Sequence, residues 1–133
     1  MEKSYQNPEG APKPIGPYSQ VARVETGDAV FLYIAGQVAV DVEGKLVGAG
    51  DIAAQTDQVY KNIGAILAAN GATFADVIKY NTYLVNIADR PASGAVRANY
   101  VSEPFPASTL VAVAALVQPE YLIEVEAVAV INR

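Results

Sequence analysis

Ser108-Thr-Leu-Val-Ala-Val-Ala-Ala-Leu116 and Leu122-Ile-Glu-Val-Glu-Ala-Val-Ala-Val-Ile131 are two apolar runs rich in β-branched residues, separated by Val117-Gln-Pro-Glu-Tyr121. They read as two strands with a short connection. Side chains alternate along a strand, so Ile123, Val125, Ala127, Ala129 and Ile131 share one face. Glu124, Glu126, Val128 and Val130 share the other. A carboxylate in the middle of such a strand is costly unless a partner or a water-filled cavity receives it. For Glu126 a solvated position on an edge strand is the competing reading. Glu124 is the stronger candidate for a site.

Working outward, the rest of the chain supplies elements to pair with these strands. Pro8, Pro12, Pro14 and Gly16 make residues 1–16 extended and irregular rather than helical, with 1–14 as the N-terminal arm of the domain. Pro17–Val24 alternates weakly as a strand, and Thr26-Gly-Asp28 is a turn signal. Ala29–Val38 is almost continuously apolar, as expected of a central strand covered on both faces. Gly36 within it signals a bulge or a close backbone approach. Asp41–Leu46 reads as a hairpin turn with a short strand at Leu46-Val47.

Asp51 caps a helix beginning at Ile52. Ile52, Val59, Ile63, Ile66 and Leu67 recur on one side of it, and Gly71 ends it. Asp76–Val85 returns to strand, with Val77, Tyr80, Tyr83 and Val85 as packing residues. Asp89 or a neighbour caps a second helix from about Pro91 to Val101, closed by Pro104 and Pro106. The order β-β-β-α-β-α-β-β is that of a single α+β domain over 1–133, two helices lying on one face of a mixed sheet of about six strands. Both faces of 108–116 are apolar, and two helices cover only one face of a sheet. The other face therefore calls for a second subunit, with any pocket between subunits.

Composition narrows the chemistry. The 133 residues contain no Cys and no His, which removes disulfides, thiolate nucleophiles, histidine-dependent hydrolysis and most transition-metal sites. No metal ligand set is assigned. Net charge is −5, and the nine Lys and Arg are scattered singly, so no nucleic-acid partner is expected. No run approaches a membrane span, and the N-terminus lacks the apolar core of a signal peptide. A cytoplasmic protein without a membrane partner is the expectation.

Ile15-Gly-Pro-Tyr-Ser-Gln20, Ala35-Gly-Gln37, Asp51-Ile-Ala-Ala-Gln-Thr56, Phe105-Pro-Ala-Ser-Thr109 and Ile123-Glu-Val-Glu-Ala127 together resemble the Rid (YjgF-like) proteins. These are reactive-intermediate deaminases, often labelled endoribonuclease L-PSP. The resemblance implies a chorismate-mutase-like fold of the bacillus type and a homotrimer with clefts at its interfaces. For the best-known branch it also implies hydrolysis of enamine or imine intermediates such as 2-aminoacrylate to a 2-keto acid and ammonia, without metal or cofactor. Residue by residue, Tyr18 matches the cleft tyrosine, Gly36 the glycine whose backbone contacts ligand, and Glu124 the glutamate that positions water.

One position departs from the pattern. The family's deaminases carry a carboxylate-clamping arginine after Pro-Ala, where this chain has Ser108. Leu110 stands at a place often held by cysteine. Serine offers one neutral hydrogen bond, whereas a bond to a charged group is worth about 1.5–3 kcal/mol, so a small 2-imino acid is expected to bind poorly. Thr109 is grouped with this cleft, a β-former with a satisfied hydroxyl being its other reading. Arg97, about eleven residues before Ser108, is the candidate to compensate for the missing arginine and to pair with Glu124 in the empty cleft. Its other reading is a solvated helix residue. Arg23, Arg90 and Arg133 offer no reason to be preferred. A non-catalytic trimer that binds small metabolites, and an activity on RNA, are the alternatives to an imine hydrolase. The ligand expected is a small imine, enamine or amine.

Overall fold

The structure, a computed structural model, describes residues 1–133. Eight elements follow one another: β1 (Glu2–Gln6), β2 (Val21–Thr26), β3 (Ala29–Gln37), α1 (Ile52–Ala69), β4 (Val77–Leu84), α2 (Arg90–Arg97), β5 (Ala107–Ala112) and β6 (Ile123–Asn132). One six-stranded sheet runs β1-β2-β3-β6-β4-β5. All its pairings are antiparallel except β4 with β5, which the α2 crossover makes parallel. Both helices lie on one face. This is the α+β sandwich expected, and β6 sits at its centre.

The alternation in β6 places Ile123, Val125, Ala127 and Ala129 toward the helices, all buried. They pack with Leu32 and Ile34 of β3 and with Val59, Ile63, Ile66 and Leu67 of α1 in one hydrophobic cluster. Burying each large aliphatic side chain contributes roughly 1.5–3 kcal/mol. Asp51 caps α1 as its sequence indicated, its carboxylate accepting from the Ala54 amide at 3.1 Å. Gly71, just beyond the helix, has φ 73°, a left-handed conformation that suits glycine.

Several local expectations change. The N-terminal arm is not irregular throughout: Glu2–Gln6 pair with Val21–Glu25 as edge strand β1. No proline interrupts this stretch, so its amides are free to enter the ladder. The prolines begin at Pro8 and keep the following segment out of the sheet. The strand expected from Pro17 starts at Val21, and the one at Leu46-Val47 reduces to a single bridge between Val40 and Leu46. The helix drawn to Val101 ends at Arg97, and the strand drawn to Leu116 ends at Ala112.

In β4, a register shift between Val77 and Lys79 turns Tyr80, Thr82 and Leu84 toward the helices. Tyr83 therefore lies on the open face, and Val85 is exposed beyond the strand. The bulge inserts one residue, which reverses the face of everything after it. The open face of the sheet carries Tyr5, Phe31, Tyr33, Tyr83, Val111, Glu124, Glu126, Val128 and Val130, as the registers of the paired strands require.

Candidate functional site

Three of the sequence-derived residues come together in one cavity. Tyr18, Gly36 and Glu124 line a space of about 470 Å³, with Ile15, Val38 and Val117 supplying apolar walls. Buried amides hold the elements that deliver them. Gln37 donates to Gln20 Oε1 at 2.6 Å, and Gln20 donates to the Pro12 carbonyl at 2.8 Å, which fixes the segment carrying Tyr18. Asn62 of α1 donates to the carbonyls of Val38 and Val40, which fixes the chain leaving β3. Buried polar groups that are fully bonded in this way hold one geometry.

Gly36 meets both readings made of it. The β3–β6 register shifts between Ile34 and Gln37, so a bulge is present. The backbone also approaches Glu124 closely: a Cβ at position 36 would stand 2.5 Å from Glu124 Oε2 and 2.8 Å from Cδ. The Glu124 carboxylate forms no ion pair within the chain. Burial raises its pKa above the usual carboxylate value, and the charge of Glu126 adds to the rise.

Glu126 is not a free edge glutamate. It is half-buried and accepts a hydrogen bond from the Tyr83 hydroxyl, an interaction that in turn raises the pKa of Tyr83. Glu124 and Glu126 are thus two carboxylates on one strand face in unlike environments. One is anchored by a phenol and the other is free to act. Tyr18 stands at the cavity mouth, its hydroxyl oxygen accepting from the Ile15 amide at 3.3 Å.

The remaining candidates lie elsewhere in the chain. Ser108 and Leu110 pair with Tyr80 and Thr82 and so face the helices. Together with Arg97 they line a second cavity of about 340 Å³. The Arg97 guanidinium carbon stands 5.6 Å from the centroid of the Tyr80 ring. Arg97 makes no ion pair with Glu124, because the two are on opposite faces of the sheet. The pairing expected for the empty cleft does not exist within one chain. Thr109 lies in neither cavity: it faces the open side of β5, and its hydroxyl accepts from Lys79 Nζ at 2.7 Å.

Sequence reasoning passed over Arg90, which lines the second cavity beside Arg97. The signal was there to read, since a spacing of seven residues is nearly two helical turns and puts both on one side of α2. It also treated Tyr83 as a core residue and so missed its bond to Glu126. No group of three or more His, Cys, Asp or Glu stands together to hold a metal ion. No helix is long and apolar enough to cross a membrane.

A family model described as endoribonuclease L-PSP matches residues 8–131. A RutC family protein of Pyrococcus horikoshii is 46% identical over 121 residues, covering 91% of this chain and 92% of that one. A protein of Dermatophagoides farinae named 2-iminobutanoate/2-iminopropanoate deaminase is 37% identical over 122 residues, covering 92% and 91%. The crystal structure of RidA from an Antarctic Psychrobacter superposes with a TM-score of 0.82 at 36% identity, covering 95% of this chain and 99% of that one.

Proposed function

Because the chain belongs to the Rid (YjgF-like, endoribonuclease L-PSP) family, we propose that it hydrolyses the C=N bond of an imine, or of the imine tautomer of an enamine, with Glu124 directing the water. The observation that carries this reading is the Glu124 carboxylate, unpaired and half-buried in an otherwise uncharged, largely apolar cavity against Gly36. Water oxygen bonds to the imine carbon while its proton passes to Glu124, and the C=N π pair moves to nitrogen. The nitrogen takes one proton from solvent to give the neutral carbinolamine and then the proton that Glu124 returns. The C–N bond breaks as the hydroxyl gives its remaining proton to solvent and becomes the carbonyl, and ammonia leaves. A raised pKa suits a group that must accept a proton and return it near neutral pH. No cofactor enters these steps.

The site is shared between subunits on this reading. No residue lines both cavities, and the sheet separates them, so one substrate touches Glu124 and position 108 only where two copies of the chain meet. A homotrimer packed through the open sheet faces is the assembly proposed. With Ser108 in place of the clamping arginine, the substrate is something other than a small 2-imino acid bound at that position.

The test uses imines generated in situ by an amino-acid or amine oxidase, with carbonyl release compared against the spontaneous rate. Glu124→Gln is expected to lose roughly a hundredfold or more of the acceleration. The pH dependence follows from sign. Protonated Glu124 cannot take a proton from water, so the rate rises with pH through a pKa above the ordinary glutamate value. Glu126→Gln removes one cause of the rise and moves this limb to lower pH. Because the folded-state pKa is raised, ionised Glu124 opposes folding at neutral pH, and Glu124→Gln gains stability while losing activity. Activity retained in Glu124→Gln would overturn the assignment.

A further inference from the structure

Of the four arginines in the chain, Arg23 and Arg133 are engaged by Glu25, whereas Arg90 and Arg97 form no ion pair. Both unpaired guanidinium groups line the same cavity between α2 and β5, and no acidic residue contributes to its lining. In a chain of net charge −5, two cations on one open cleft repel each other and favour an anion between them. Arg97 is half-buried, and Tyr80 beneath it is fully buried. The Tyr80 ring and the neighbouring Tyr60 phenol hold the guanidinium in place, and no carboxylate of the chain competes for its remaining N–H groups. Burial raises the pKa of Tyr60, and Arg97 beside it works in the opposite sense. Thr82 and Ser108 bring hydroxyls to the same lining.

We infer that this cavity is the anion-binding half of the site, Arg97 and Arg90 clamping a substrate carboxylate that is not attached to the imine carbon. The inference rests on the hydrolase reading above and narrows its substrate class. In a 2-imino acid the carboxylate is bonded directly to the carbon that water attacks. Here Ser108 is exposed at the rim of the cavity, while Arg97 is held further in against the buried Tyr80. The charge therefore sits deeper than position 108, and a spacer separates it from the carbon presented to Glu124. The substrate class is an imine or enamine of a longer oxo acid.

Calorimetric titration of the intact protein with three probes tests this. They are 4-oxopentanoate, its neutral amide, and 2-oxobutanoate. The expected order has 4-oxopentanoate binding more tightly than either of the others. Arg97→Met is expected to weaken 4-oxopentanoate by roughly tenfold to a hundredfold, as for loss of a charged hydrogen bond, while leaving the amide unchanged. Arg97→Lys restores part of the affinity. Arg90→Met, at an exposed position whose change leaves the fold intact, shows a smaller loss in the same direction.

Carboxylate affinity unaffected by either arginine, or no binding of 4-oxopentanoate by the unaltered protein, overturns the inference. Equal affinity for the acid and its amide does so as well, and 2-oxobutanoate binding as tightly overturns the spacer. The two readings fail differently. If the hydrolase reading is wrong, imines are not turned over although arginine-dependent binding persists, in Glu124→Gln as well. If the inference is wrong, turnover proceeds with no dependence on Arg90 or Arg97.

Discussion

Replacing Gly36 with alanine is expected to lower imine hydrolysis as far as removing the Glu124 carboxylate does, by roughly a hundredfold or more. The new methyl carbon would stand 2.5 Å from Glu124 Oε2 and 2.8 Å from Cδ, closer than non-bonded atoms approach. One of the two must move. The Gly36 backbone is embedded in β3 between the α1 side and β6, whereas the glutamate is a flexible side chain facing a cavity. The side chain therefore gives way, and the carboxylate leaves the position from which it reaches water. A displacement of about 1 Å at a reacting group costs on the order of a hundredfold.

Gly36 does not occupy the left-handed region, so alanine carries no backbone strain there. The variant should consequently fold and melt close to the parent, and the loss should appear in kcat. Full activity in Gly36→Ala would mean that Glu124 does not act from this position. Unfolding of the variant would mean that the close approach is structural first.

Tyr33→Glu is expected to separate the assembly into single chains and to abolish activity with it. Tyr33 is 50% exposed in the single chain, so a charge there disturbs no core packing. It lies on the open sheet face opposite Val128 and near Glu126. If three copies pack through these faces, the substitution buries like charges close together with no cation to receive them. An unpaired buried charge costs several kcal/mol per site, enough to shift assembly by many orders of magnitude at micromolar concentration. Light scattering should report the trimer for the parent and the monomer for the variant, with unchanged far-ultraviolet circular dichroism. A parent that is monomeric and fully active would remove the shared site altogether.

What the sequence disclosed, and what it hid, follows the range of the interactions involved. The alternation of 123–131, the Asp51 cap and the apolar spacing in α1 are local patterns, and the structure reproduces them. Gly36 was legible because a glycine inside an apolar strand has few explanations, and both offered are present. The face of Tyr83 was misread because one bulged residue at the start of β4 inverts the alternation, and bulges leave no local signature. β1 was hidden by the prolines that follow it, although they begin only after its pairing has ended. The division of the site into two cavities could not be read at all. Ser108 and Glu124 belong to strands two places apart with β4 between them, and only the register decides that they face opposite ways.

β5 is held by a single neighbour, so one row of its backbone N–H and C=O groups has no strand partner. Five of its six residues are exposed in the single chain, Val111 among them. An uncharged sheet edge of this kind is a template on which another extended chain can add a strand. A single folded chain thus carries the feature that seeds aggregation and draws chaperones and proteases. Raising the stability of the individual folded chain does not remove this edge, because the unpaired row belongs to the folded state itself.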